Sequence, residues 1–164
     1  MKVTMKIALV ALISWASVAA GSAQAQELWN GVALGMTPRE VLRVLPGAQA
    51  TSDPSNKASF GELLVAMPGV DVFDHSGRAE FYFERNRLTT VRLFVEPQDL
   101  TQQSNQMVIE KIQAELGRPP ECVLMMMLCS WRLPTRTVAF SAGGLEPPSA
   151  LGVEYTGPSR ARAR

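Results

Sequence analysis

Residues 78–95 alternate apolar and polar side chains on both sides of a short polar break, and that pattern admits few folds. Ala79, Phe81 and Phe83 fall on one face of the first segment, with Glu80, Tyr82 and Glu84 on the other. Arg85-Asn86-Arg87 reverses the chain, and residues 88–95 alternate again through Val91, Leu93 and Val95. A period of two marks a half-buried strand, and two such strands around a tight reversal predict an antiparallel hairpin. One face of that hairpin is apolar and needs a cover.

Two segments with helical spacing can supply it. Thr37 is placed as an N-cap, Pro38 sits at the first helical position, and Glu40 completes a T-x-x-E capping box. Met36 and Val41 have the spacing of a hydrophobic staple, while Val41, Leu42 and Leu45 form an apolar face that Pro46-Gly47 ends. A second helix, capped by Asp99 or Thr101, is predicted to run to about Leu116 with Met107, Val108, Ile109, Ile112 and Leu116 as its buried stripe. Lys111 and Arg118 lie toward its C-terminal end, where cations suit the helix dipole, and Gly117 with Pro119-Pro120 stops it.

Between the helices, residues 48–59 read as a loop and residues 60–67 as a strand ended by Pro68-Gly69. Residues 70–73 form a further short strand, and Asp74-His75-Ser76-Gly77 a turn. After the second helix come strand-like segments at 122–133, 135–141 and 150–155, with Gly143-Gly144 and Pro147-Pro148 in the last loop. The fold class read from this order is α+β, with two helices packed on antiparallel β-sheet. The order also suggests a tandem helix-plus-strands repeat within one domain, residues 26–158, with halves at 29–97 and 99–156; no residue-level repeat accompanies it.

Cys122 and Cys129 are the two cysteines. An even count in an exported chain favours a disulfide. Seven extended steps span roughly 23 Å and seven helical steps roughly 10 Å, whereas a disulfide holds its α-carbons within about 7 Å. A bond therefore bends the apolar run between the cysteines and puts Met125, Met126 and Met127 at the tip of the bend, as a contact patch if exposed.

Export is read from the first residues. Lys2 and Lys6 precede an apolar stretch at 7–20, and Ala23-Gln24-Ala25 is an A-x-A cleavage site, so residues 1–25 form a signal peptide cut after Ala25. The apolar stretch is short for a membrane span, and none is expected in the mature chain. The leader holds two of the sixteen basic residues and none of the fifteen acidic ones, so the remainder is near neutral and offers no electrostatic case for nucleic acid. Residues 159–164, with Arg160, Arg162 and Arg164, read as a flexible basic tail.

The run Gly35-Met36-Thr37-Pro38-Arg39-Glu40-Val41 resembles the G-M-T-x-x-E/Q-V stretch of the small lipoprotein of the outer-membrane β-barrel assembly machinery, the SmpA/BamE type. The same motif opens small periplasmic proteins of the related β-lactamase-inhibitor-protein-like fold. The resemblance implies a helical segment on a short antiparallel sheet and an assembly or interaction role. The chain has no cysteine near the cleavage site, so a lipid anchor is not implied.

No nucleophile elbow, H-E-x-x-H or glycine-rich phosphate loop is present, and His75 beside Asp74 has no named partner. A non-catalytic protein without cofactor is expected: a soluble periplasmic binding or envelope-assembly protein, taking an envelope protein or a small apolar ligand. One alternative is a periplasmic copper binder using Met125, Met126 and Met127, although their aliphatic neighbours suit packing better than metal. Another, by resemblance, is an enzyme inhibitor. The aromatic set Trp29, Phe60, Phe81, Phe83, Trp131, Phe140 and Tyr155 reads as core, and Arg85, Arg87 and Arg92 around the hairpin as a solvated face.

Overall fold

In the computed structural model the described residues are 26–51, 57–58, 61–101, 103–123, 127–143 and 150–158. The expected signal peptide, the basic tail, Phe60, Met125 and Met126 lie outside them. Among the described residues the chain is α+β, with two α-helices and a large antiparallel sheet.

The sheet is built from two meanders. The first comprises β3 (Gln49–Ala50), β5 (Gly61–Val72), β6 (His75–Glu84) and β7 (Arg87–Val95); β4 (Lys57–Ala58) also pairs with β5. The second comprises β8 (Glu121–Val123), β9 (Leu128–Arg132), β10 (Thr137–Gly143) and β11 (Ala150–Thr156). The last strands of the two meanders, β7 and β11, pair antiparallel at the centre, giving the order β3-β5-β6-β7-β11-β10-β9-β8. Each meander follows a helix: α1 (Pro38–Val44) precedes the first and α2 (Ser104–Leu116) the second. Val41 of α1 and Val108 and Ile112 of α2 belong to the same buried cluster as Phe81, Leu93, Trp131 and Phe140 of the strands.

The hairpin at residues 78–95 forms around Arg85 and Asn86. Both adopt the left-handed backbone (φ 47° and 65°), the geometry that matches a two-residue turn to strand twist. Helix α1 carries its full capping box. The Thr37 hydroxyl accepts from the Glu40 N–H (3.4 Å), and the Glu40 carboxylate accepts from the Thr37 N–H (2.7 Å) and hydroxyl (2.8 Å). The backbone hydrogen bond from Thr37, followed by the one from its hydroxyl, holds the Glu40 carboxyl below its ordinary range. Stability drawn from this carboxylate is therefore present above the unfolded glutamate value and is lost as pH falls through the depressed folded one. Thr37→Ala is expected to cost about 1 kcal/mol in urea unfolding. An unchanged midpoint would contradict the capping role.

Several expectations are corrected. Pro68-Gly69 does not end a strand: β5 runs through it to Val72 with an irregularity between Pro68 and Val70. On the other flank of β5, the pairs made by β3 and β4 among the described residues fall within residues 61–66, so Pro68 lies beyond them, where a missing donor is tolerated. The turn expected at residues 74–77 is Phe73-Asp74, both left-handed (φ 54° and 71°), and His75, Ser76 and Gly77 already belong to β6. Residues 48–59 were expected to be loop throughout, yet they contain β3 and β4.

Helix α2 starts at Ser104, whose hydroxyl accepts from the Thr101 N–H (2.8 Å); no side-chain cap bond comes from its N-cap, Gln103. The buried residues of α2 are Ser104, Asn105, Val108 and Ile112, and Met107 is 40% exposed. The buried stripe begins one turn earlier and rotates away from Met107 because 104, 108 and 112 share a face. An unforeseen small sheet, β1 (Glu27–Trp29) with β2 (Val32–Ala33), sends the fully buried Leu28 and Val32 into the core. It is tied to the second meander by the Arg136 guanidinium, which donates to the Leu28 carbonyl at 2.7 Å.

Candidate functional site

Cross-strand register puts one set of strand residues into the buried cluster and the other on the opposite face of the sheet. Two neighbouring rows on that second face can be followed across the strands. One runs Val123, Leu128, Ser141, Gly152, Phe94, Arg78; the next runs Glu121, Ser130, Ala139, Glu154, Arg92, Glu80. The face therefore has Ala139, Ser141 and Gly152 over β10 and β11, a charged and aromatic relief from Glu154 across β7 and β6, and the apolar pair Val123 and Leu128 beside Glu121 and Ser130 at β8 and β9.

The relief is internally satisfied. Phe94 lies between two guanidinium groups, Arg78 and Arg92, each 4.7 Å from the ring centre. Arg78 pairs with Glu80 (2.9 Å) and Glu96 (3.7 Å), and Arg92 pairs with Glu154 (3.5 Å). Tyr82 donates to Glu80 at 2.6 Å. Burial, reinforced by that carboxylate, pushes the Tyr82 phenol up to about 12, so it remains a donor at physiological pH. Pairs so placed fix one another in position and leave little for a partner.

The β8–β9 end is different. Cys122 and Cys129 face each other across the two strands and are bonded, with α-carbons 4.0 Å apart. The bend anticipated between the cysteines is present, and the chain reverses between Val123 and Leu128. The next pair along, Val123 and Leu128, is 52% and 41% exposed. Met127 opens the return with a left-handed backbone (φ 45°), and its carbonyl accepts from the Ala142 N–H (3.2 Å). The sequence directed attention to the three methionines, of which only Met127 is described. The apolar side chains standing at the described edge are those that flank the tip. Period-two counting outward from Cys129 would have found Leu128 on the exposed face.

A cleft of about 490 Å³ lies elsewhere, where α2, β1 and the β5–β6 turn meet. Lys111 crosses from α2 to pair with Asp74. Arg136 bonds Leu28, lies 3.7 Å from Glu115 and sits over the Tyr155 ring at 5.6 Å. Burial, then the Glu115 charge, raises the Tyr155 phenol above its ordinary range. Both cations of the cleft are thus committed to structural partners. Trp29, expected in the core, lines this cleft and is half-buried, with its ring centre 6.0 Å from Phe81.

The remaining candidates are dispersed. His75 is half-buried at the start of β6, and its Nε2 has no hydrogen-bond partner among the described residues. Arg85 is exposed in the turn, and Arg87 donates to the Gly35 carbonyl (3.1 Å). Arg92 alone of the three joins the open-face network. Among the described residues no group of three or more His, Cys, Asp or Glu side chains is arranged to hold a metal ion, and no helix is long and apolar enough to cross a membrane. Compared with family models, curated proteins and solved structures, the chain matches none.

Proposed function

We propose that this chain is an exported, non-catalytic binding protein of the periplasm that engages an envelope protein through the β8–β9 end of its open sheet face. The observation that carries the reading is the pair Val123 and Leu128, both substantially exposed and side by side at a sheet edge. Large apolar side chains grouped in this way suit contact with another protein better than contact with water. The Cys122–Cys129 bond fits an oxidising compartment, and the leader-like residues 1–25 supply the route there. Two four-stranded meanders, each preceded by a helix, support the tandem reading with halves at 29–97 and 99–156. They are also compatible with the resemblance to SmpA/BamE-like and β-lactamase-inhibitor-protein-like folds. Under the inhibitor reading the partner would be an enzyme.

Chemical crosslinking in envelope extract, followed by pull-down, tests the surface. Wild type and Met107→Glu, which alters an exposed apolar residue on α2, are expected to yield the same crosslinked species. Leu128→Glu is expected to lose it. Equal yields from all three proteins would remove the β8–β9 end as the contact.

A further inference from the structure

We propose that the Cys122–Cys129 disulfide is a redox-sensitive latch: reduction by a dithiol releases β8 from the sheet and takes apart the Val123–Leu128 surface. The functional consequence rests on the reading above, whereas release of β8 stands on the geometry of the edge alone.

Strand β8 has little else to hold it. It is three residues long, all three are exposed, and among the described residues its only strand partner is β9. It therefore contributes no buried apolar side chain to the core. The ion pair between Glu121 and Arg132 (3.2 Å) joins side chains 72% and 64% exposed, a setting in which such pairs hold weakly. Upstream, the chain is anchored: the Arg118 carbonyl accepts from the Trp131 indole (3.1 Å), and the Arg118 guanidinium donates to the Arg132 carbonyl (2.8 Å). Those bonds fix where the chain approaches β8, not β8 itself. Strand β9 is held independently, with five residues in register with β10 and with Cys129 and Trp131 buried. Opening of the edge can thus remain local.

The cysteines are unequally placed for exchange. Cys122 lies in an exposed strand, whereas Cys129 is 4% exposed. One thiolate of a dithiol attacks the Cys122 sulfur, forming a mixed disulfide and expelling Cys129 as a thiolate. The second thiol, as thiolate, attacks the reductant sulfur of that mixed disulfide and expels the Cys122 thiolate. The dithiol becomes a cyclic disulfide and supplies two electrons, and its two protons end on Cys122 and Cys129.

Closing a loop with a sequence separation of seven raises the closed population about 50-fold in the chain-entropy model. Hydrogen exchange followed by mass spectrometry, on the full chain before and after dithiothreitol, reads this directly. We expect exchange in Glu121–Val123 and the facing amides of β9 to quicken by about 50-fold on reduction, with β6, β7, β10 and β11 unchanged. The Cys122→Ser/Cys129→Ser variant should match the reduced protein with and without dithiothreitol. Unchanged exchange at β8 would overturn the latch, and accelerated exchange throughout the sheet would overturn it by making the bond a support of the whole fold. The crosslinking assay, repeated under dithiothreitol, separates the two readings. Loss of the crosslinked species together with β8 opening supports gating. Opening with the species retained overturns gating alone; β8 release stands, and the surface assignment is overturned separately by an unchanged yield from Leu128→Glu.

Discussion

Gly77→Ala is expected to cost at least about 3 kcal/mol in urea unfolding and to prevent accumulation of folded protein at physiological temperature. Gly77 lies in β6 opposite Val95 of β7, where a β-carbon would stand 2.2 Å from the Phe94 carbonyl oxygen and 2.6 Å from the Val72 side chain. The first of these is a backbone atom of a central strand, so relief requires β6 and β7 to part where they pair. Gly152→Ala is the comparison. It is also a buried strand glycine, but its β-carbon would meet nothing closer than 3.5 Å, and it should cost less than about 1 kcal/mol by the usual weight of a tolerated substitution. Equal losses from the two variants would mean that the close approach of β6 to β7 is not as described.

Trp131→Ala is expected to cost about 4 kcal/mol. The side chain is among the largest of those fully buried, and it sits in β9 within the second meander, so truncation to alanine leaves a cavity of indole size to be closed. Its loss also leaves the Arg118 carbonyl without the indole donor that anchors the chain ahead of β8. Trp131→Phe separates the two contributions. It retains most of the apolar volume and loses only the hydrogen bond, so a cost nearer about 1 kcal/mol is expected. If the phenylalanine variant were as unstable as the alanine variant, the hydrogen bond rather than packing would dominate.

Much of the architecture was legible wherever the pattern was local. The hairpin of β6 and β7 follows from alternation on both sides of Arg85-Asn86-Arg87, of which Arg87 already belongs to β7, and helix α1 follows from a threonine, a proline and a glutamate at cap, first-turn and box positions. The bend between Cys122 and Cys129 follows from chain geometry once they are paired. Other features escaped because an edge or a distant strand decided them. Pro68-Gly69 is ordinary punctuation in sequence, yet β5 passes through it, since Pro68 lies beyond the described pairs of β3 and β4, where the donor that proline lacks is not needed. Gly77 looked like a turn residue, but its role is set by Phe94, which lies on another strand. Strands β1 and β2 are three and two residues long, too short to show a period, although Leu28 and Val32 are fully buried.

The candidate site divides in the same way. The disulfide and the apolar run that it folds back were visible in the cysteine spacing. The exposure of Val123 and Leu128 depended on which face of the sheet turns away from the buried cluster, and that is a property of the assembled chain. The cleft of Trp29, Lys111 and Arg136 gathers residues from both ends of the domain, so no local motif announces it.

Partner contact is expected at the β8–β9 end of the open face. The most direct measurement places a photo-crosslinking amino acid at Val123 in one protein and at Met107 in another, exports each, irradiates intact cells and reads the adducts by mass spectrometry. Both positions are exposed and apolar, so they differ in location rather than in kind. The expected result is a discrete protein adduct from position 123 that is absent from position 107 and disappears with Leu128→Glu. Adducts of the same identity and yield from both positions, or from neither, would contradict the claim.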